Sequence, residues 1–401
     1  MTLLKRINKE GMMFKIQTFN KISEKGLKLF KERGYTVGDN LTDYDAIIVR
    51  SQELHNVDFP SSLLAIARAG AGVNNIPIQK CAEKGIVVFN TPGTNANAVK
   101  ELVILGLLLA SRKVAEGIEW TKTLIGTENI EDAVEKNKSK FEGPEIMGKT
   151  LGVIGLGAIG VLVANTAIEL GMKVIGYDPY ISVEAAWALS RQVKRALTID
   201  DIYKNSDYIS LHVPANDATK GMINKQTISI MKNGVKILNF SRANIVNEDE
   251  LVKELESGKV ACYVTDFPNA KVLGKKNVIA IPHLGASTPE AEENCAIMAA
   301  NEIIEYLETG NIKNSVNYPD VFMQKEDSKE RICILHKNVP DMVNKFSKIL
   351  GSSNINIEDL INKGKGEFAY TIIDVKKGCL TDNIKKQFNE IADIIKIRFI
   401  E

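Results

Sequence analysis

The chain has 401 residues, 44% hydrophobic and 25% charged, the balance of an ordinary globular protein with room for two or three domains. Its 51 Lys and Arg nearly cancel 50 Asp and Glu, so no global field draws it to nucleic acid or to an anionic membrane. Cys81, Cys262, Cys295, Cys333 and Cys379 are scattered without C-x-x-C spacing, which argues against a disulfide framework or a zinc site and fits a reducing cytoplasm. No run reaches transmembrane length, and the leading residues through Met12 and Met13 read as an extension ahead of the first strand.

From Phe14 to Pro92 strand-like pieces alternate with helix-like ones: Phe14-Lys-Ile, Asp45 to Ser51, Leu63 to Gly70 and Gly85 to Asn90. That alternation predicts an open, doubly wound, flavodoxin-like parallel sheet. A helix follows over Asn97 to Lys113, with Val99, Leu102, Val103, Leu107 and Ala110 at helical spacing and Gly106 allowing close packing on the same face.

Mid-chain comes the run Thr150-Leu-Gly-Val-Ile-Gly155-Leu-Gly157-Ala158-Ile159-Gly160, then Val174-Ile175 and, about 18 residues past the last glycine, Asp178. Strand, tight turn, helix start and spaced acid together form a dinucleotide fingerprint. Gly155 permits the turn, Gly157 lets backbone N–H groups reach a pyrophosphate, and Gly160 lets helix pack on strand. Asp178 would accept hydrogen bonds from ribose hydroxyls, and with Pro179 and Tyr180 beside it a 2′-phosphate would be repelled, which favours NAD over NADP.

Strands at Tyr208 to Val213, Val235 to Phe240, Val260 to Thr265 and Val278 to Pro282 extend this Rossmann domain, and a helix from about Pro289 to Thr309 returns the chain to the first lobe. The predicted domains are 14–100 with 290–317 for substrate, 101–289 for NAD, a polar linker over 318–330, and 331–401. A ligand cleft is expected between the first two lobes. The last segment reads strand (Arg331 to His336), helix (Pro340 to Leu350), two strands (Ile355 to Asp374, turning near Gly364), helix (Thr381 to Ile391) and strand (Ile395 to Ile400), a ferredoxin-like βαββαβ order.

A nicotinamide enzyme oxidising an alcohol needs a base for the hydroxyl proton and a cation for the substrate's charge. The chain has only His55, His212, His283 and His336, and of these His283 lies in Pro282-His-Leu-Gly285-Ala286-Ser-Thr288, just past a strand end. Arg242, in Asn239-Phe240-Ser241-Arg242, also follows a strand end and could hold a carboxylate bidentately.

With these two segments and the fingerprint in this order, the chain resembles the D-isomer-specific 2-hydroxyacid dehydrogenase family over about residues 14 to 317. The resemblance implies that Arg242 holds the substrate carboxylate and C2 oxygen, and that His283 takes the hydroxyl proton. It also implies cofactor contacts at His212, Val213, Pro214, Thr219, Phe240, Ser241, Asp266, Gly285 and Ala286, beside those of Gly155 to Gly160 and Asp178.

One part of the pattern is missing. The family supplies a Glu that orients the histidine, and here Ala270 or Lys271 stands in that place, with the strand-end Asp at 266 rather than 265. Glu290 or Glu293 could substitute, or catalysis could run on a weaker dyad.

Arg50-Ser51 and Ala71-Gly72-Val73 resemble the branch that oxidises 3-phospho-D-glycerate at the first step of L-serine synthesis. There Arg50 and Ser51 would grip the phosphate and the Ala71 to Val73 amides the carboxylate. Lys136 to Phe141 reads as a solvated loop, and by the family pattern Lys138 is a candidate to reach a partner subunit's phosphate site.

The C-terminal segment resembles an ACT domain, which binds amino acids and pairs between subunits. His336, Asn338 and Asn356 match positions that hold L-serine, while Asp341 replaces a usual Gly. A homodimer or homotetramer is expected. Alternative readings are another D-2-hydroxyacid dehydrogenase, acting on glyoxylate, hydroxypyruvate or 2-oxoglutarate, and a catalytically weak NAD-sensing corepressor.

Overall fold

A computed structural model describes residues 14–401, so the leading extension lies outside it. The described chain divides into two compact units: Asn95–Thr288 forms one, and residues 14–94 join Pro289–Glu401 in the other.

The discontinuous unit holds a five-stranded parallel sheet in the spatial order Thr36–Gly38, Lys15–Phe19, Ala46–Val49, Ala65–Arg68, Val87–Asn90. Ala46–Val49 is fully buried and Ala65–Arg68 nearly so, as befits central parallel strands covered on both faces. Helix Pro289–Thr309, observed with the expected bounds, contributes Ala296, Ala299, Ala300, Ile303 and Leu307 to this lobe's core.

That core runs on into the C-terminal sheet. Its antiparallel strands lie in the order Ile357–Lys365, Phe368–Lys376, Lys329–Lys337, Ile394–Ile400, with helices Met342–Ser352 and Asp382–Asn389, the expected βαββαβ arrangement. Alternation along the strands sends Cys333, Leu335, Tyr370 and Ile372 into the lobe's core, while Ile332, Ile334, Ile373 and Val375 pack on the two helices. The hairpin turns at Gly366, two residues beyond the expected Gly364, because Gly366 has the positive φ the turn needs.

Residues 318–330, read above as a linker, are packed: Tyr318 and Val321 are buried and Val321 exchanges backbone hydrogen bonds with Ile312. Arg331, itself buried, pairs with Asp374 and donates to the carbonyls of Thr309, Met323 and Gln324. Arg398 donates to the carbonyls of Tyr306 and Leu307, and Tyr370 to that of Gly310. The C-terminal sheet thereby donates to carbonyls of the last turn of helix Pro289–Thr309, where Tyr306 also accepts from the Gly310 N–H at 3.0 Å.

The second unit holds seven parallel strands in the order Val278–Ala280, Val260–Thr265, Val235–Asn239, Tyr208–Leu211, Thr150–Ile154, Lys173–Tyr177, Lys194–Arg195. Helix Ala96–Ser111 packs here through Val99, Val103 and Leu107. Helices Val114–Lys122 and Ile130–Asn137 were not among the expected elements: both are short, and the few apolar residues they space at helical intervals, Val114 with Ile118 and Ile130 with Ala133 and Val134, are not buried in this chain. The expected loop over Lys136 to Phe141 is the end of the second of these and a 3₁₀ turn, Lys138–Phe141.

Among the described residues, no helix is long and apolar enough to cross a membrane, and no group of three or more His, Cys, Asp or Glu could hold a metal ion.

Candidate active site

Strand Thr150–Ile154 ends at Gly155, whose φ of 91° is left-handed and where a Cβ would lie 2.4 Å from the His212 carbonyl oxygen. A Cβ on Gly160 would lie 1.9 Å from the Gly155 carbonyl oxygen, so helix Ala158–Glu169 can start this close to the turn only with glycine there. Gly157 is the N-cap, no side chain caps the helix, and a Cβ on it would meet nothing within 4 Å. The helix N-terminus, with Ala158 and Ile159 in its first turn, is therefore open to an anion. Asp178 accepts from the backbone N–H groups of Leu156 and Tyr180, both at 2.8 Å, which fixes its carboxylate at the turn with lone pairs left for hydroxyl donors. These features fit a bound dinucleotide.

Further along the same strand ends, His212 has Nε2 2.8 Å from Ser210 Oγ, and desolvation pushes its pKa down to about 4. Its Nδ1 has no hydrogen-bond partner, and the group it presents to Gly155 is its backbone carbonyl. Val213 is half-buried and Pro214 exposed. The Thr219 hydroxyl donates to the Pro214 carbonyl at 2.6 Å and accepts from Asn216 N–H at 3.0 Å, bracing the loop. Ser241 Oγ donates to the Leu211 carbonyl at 2.7 Å, and Phe240 is buried.

Asn239 sets the turn that presents Arg242: its side-chain amide donates to the Arg242 carbonyl at 2.9 Å and its oxygen accepts from Ser241 N–H at 3.2 Å. Arg242 is exposed, and one guanidinium nitrogen donates to the Ser241 carbonyl at 2.7 Å. His283 is exposed, its ring 5.0 Å from that of Phe267. Gly285 is buried and Ala286 exposed. Asp266 is 1% exposed, and its Oδ1 has no hydrogen-bond partner. Burial raises its pKa, with His283 and then Arg242 acting in the opposite sense.

Ala270 is exposed, and Lys271 pairs with Asp249 at 2.6 Å, so neither residue at the expected glutamate position supplies an acid. Glu293, one of the expected substitutes, is engaged by Lys25 at 2.5 Å, while Glu290 lies in the first turn of its helix.

In the discontinuous unit, Arg50 and Ser51 leave strand Ala46–Val49, and the Ser51 and Gln52 N–H groups donate to Asn20 Oδ1 at 2.9 and 2.7 Å. Arg68 Nε donates to the Arg50 carbonyl at 3.0 Å, and Asn90 holds the Ala71 carbonyl at 2.6 Å, which braces the turn carrying Gly72 and Val73. Arg50 is paired with Glu292 at 2.6 Å. Glu292 and Arg68 were not among the expected site residues, and only the fold brings the first turn of helix Pro289–Thr309 to this strand end. Lys138 is exposed and pairs with Glu135 in its own unit.

Of the expected effector residues, His336 is buried with its ring nitrogens engaged by the Lys337 carbonyl and Thr371 Oγ1, so here it is a core group. Asn338 and Asn356 are exposed. Asp341 stands at the N-cap position of helix Met342–Ser352 without a capping hydrogen bond, at a φ of 73°, the left-handed conformation that glycine adopts without strain.

The profile of the D-isomer specific 2-hydroxyacid dehydrogenase family, NAD binding domain, matches residues 105–285. A hydroxypyruvate reductase of Thermotoga maritima is 38% identical over 67% of this chain and 86% of its own length. The chain belongs to the D-isomer specific 2-hydroxyacid dehydrogenase family. It is also similar to D-3-phosphoglycerate dehydrogenase 1 of Saccharomyces cerevisiae, at 29% identity over 96% of this chain and 87% of that one. Among solved structures, an NAD⁺-bound 3-phosphoglycerate dehydrogenase of Entamoeba histolytica matches with a TM-score of 0.59 and 28% identity, covering 76% of this chain and 99% of that one.

As a 2-hydroxyacid dehydrogenase the protein uses NAD, which the open helix N-terminus and the fixed Asp178 would hold at the phosphates and the ribose. When bound, the nicotinamide supplies the hydride acceptor for the alcohol carbon.

Proposed function

We propose that this dehydrogenase oxidises 3-phospho-D-glycerate to 3-phosphohydroxypyruvate with NAD, the first step of L-serine synthesis. The observation that carries this reading is similarity along almost the whole chain, C-terminal βαββαβ module included, to the yeast D-3-phosphoglycerate dehydrogenase. Relatives of the same description in Methanocaldococcus jannaschii (32% identical) and Haemophilus influenzae (30%) support it.

In this reading Arg242 holds the substrate carboxylate and C2 oxygen, Arg50 and Ser51 the phosphate, and the Ala71, Gly72 and Val73 amides the carboxylate. His283 takes the C2 hydroxyl proton as the alcohol becomes a ketone, and returns it in the reverse reaction. Lys138 is the candidate basic residue for a partner subunit's phosphate site. A screen of phosphorylated and unphosphorylated 2-hydroxy and 2-keto acids with NAD(H) tests the assignment.

A second reading, hydroxypyruvate reduction, is favoured by the 38% identity to the Thermotoga maritima enzyme and by the Glu292 carboxylate already paired with Arg50. In that case phosphate on the substrate would bring no advantage.

L-serine is the proposed effector at the C-terminal module, through Asn338 and Asn356, with His336 supporting them from the core. Inhibition by millimolar serine together with a serine-dependent rise in melting temperature supports this role. Absence of both leaves the module a structural and oligomerisation element.

A further inference from the structure

Strand Val260–Thr265 lies parallel to Val278–Ala280 with Thr265 opposite Ala280, and Ile281 N–H donates to the Thr265 carbonyl at 2.8 Å. The segments that leave these neighbouring strands, Asp266-Phe267 and Pro282-His283, therefore emerge side by side. Phe267 and His283 confirm this with ring centroids 5.0 Å apart. A Cβ on Gly285 would lie 3.3 Å from Asp266 Oδ2, so the loop after His283 folds directly over the Asp266 carboxylate.

Asp266 is a carboxylate 1% exposed, with Oδ1 lacking any hydrogen-bond partner. A buried acid in that condition is costly unless a positive charge forms beside it. The groups facing it are His283 and the Gly285 N–H from one loop and Arg242 from the loop after Val235–Asn239. Tyr263, on its own strand, also senses its charge and that of Glu248. Other acids are spoken for: Asn269 holds both oxygens of Glu248 at 2.9 and 3.2 Å, and Asp249 pairs with Lys271.

We propose that Asp266 is the positioning acid for His283, taking over the role of the glutamate in whose place Ala270 or Lys271 stands. It stands one residue past the strand-end position where the family pattern has its aspartate, and Thr265 fills that position. When the C2 hydroxyl proton moves to His283, the imidazolium forms beside the Asp266 carboxylate and the buried charge gains its partner. The proton and charge balance is complete with these two side chains, and the acid itself touches no substrate atom.

This inference rests on His283 being the proton-transfer group, and the test separates the two claims. Rate against pH is measured for both reaction directions with the full-length protein and the most active acid from the substrate screen, for His283→Asn, Asp266→Asn, Asp266→Glu and Asp266→Asn with Ala270→Glu. Retained activity in His283→Asn would overturn the role of His283. With His283 required, the expected result for Asp266→Asn is that the alkaline fall of the reductive rate moves to lower pH by about 1 unit or more.

Because Asp266 is also an expected cofactor contact, the deciding readout in that variant is the move of the limb, whether or not KM for NAD changes with it. Asp266→Glu should keep the limb near its original pH, and Ala270→Glu in the Asp266→Asn background should return it there. A changed KM for NAD with an unmoved limb would make Asp266 a cofactor contact only. A lowered melting temperature with an unmoved limb would make it merely structural. Either result overturns the proposal.

Discussion

Arg50 Nη2 lies 2.6 Å from Glu292 Oε1, which ties the end of strand Ala46–Val49 to the first turn of helix Pro289–Thr309. Both side chains are about two-fifths exposed, so the pair is a counter-ion arrangement that an incoming anion can exchange into. If Arg50 grips a substrate phosphate, Glu292 competes with it. Glu292→Gln is expected to lower KM for 3-phosphoglycerate by about 3- to 10-fold, and Arg50→Ala to raise it by about 10- to 100-fold, while D-glycerate responds little to either. Steady-state kinetics on both acids checks this, and equal effects on the two would remove Arg50 from the phosphate.

The Arg331–Asp374 pair is 0% and 1% exposed, and its guanidinium also serves the carbonyls of Thr309, Met323 and Gln324. Removing one partner leaves the other buried and uncompensated, at a cost of about 3–5 kcal/mol. Arg331→Ala is expected to lower urea stability by that order, and the double variant with Asp374→Ala to lose less than the two single losses summed. Strict additivity would mean that the pair is not coupled.

Burial raises the carboxyl of Glu302 to a pKa of about 8, with Lys313 and a hydrogen bond from Asn314 acting in the opposite sense. A folded-state pKa above the unfolded value means that the native state holds the proton more tightly. The associated stability is therefore complete below about pH 4.5 and declines as pH rises toward 8. Glu302→Gln keeps an acceptor for Asn314 and cannot ionise. Its melting temperature should exceed the parent's at pH 8 to 9 and converge with it near pH 5. Parallel melting curves across that range would contradict the assignment.

Asp341 holds a φ of 73° at the start of helix Met342–Ser352, while its Oδ1 accepts from the Asn344 amide at 2.8 Å. Asp341→Gly relieves backbone strain of ~1 kcal/mol and should raise the melting temperature slightly. If the acid also repels an effector's carboxylate, the same change will strengthen inhibition by L-serine, which a titration of activity reads directly.

What was legible followed the strength of the local pattern. The fingerprint glycines, the return helix and the βαββαβ order each carry a period or a turn residue of their own, and each was found in place. Helices Val114–Lys122 and Ile130–Asn137 are short and bury nothing, so two or three apolar residues at helical spacing did not set them apart from a surface segment. Residues 318–330 look like a linker because the polar residues outnumber the two or three side chains that anchor them, yet Tyr318 and Val321 hold the segment against the lobe. At the site, Arg242 and His283 announce themselves by following strand ends. Glu292 and Asp266 do not: Glu292 pairs with Arg50, 242 residues away, and Asp266 lies under the loop at Gly285, 19 residues further on.

The measurement that bears most directly on the whole account is NADH formation by the full-length protein with 3-phospho-D-glycerate and, in parallel, with D-glycerate. The account predicts a kcat/KM at least about tenfold higher for the phosphorylated acid, the advantage expected from one charge-assisted contact, and its loss in Arg50→Ala. Equal or higher kcat/KM for the unphosphorylated acid would contradict it and leave hydroxypyruvate reduction as the function.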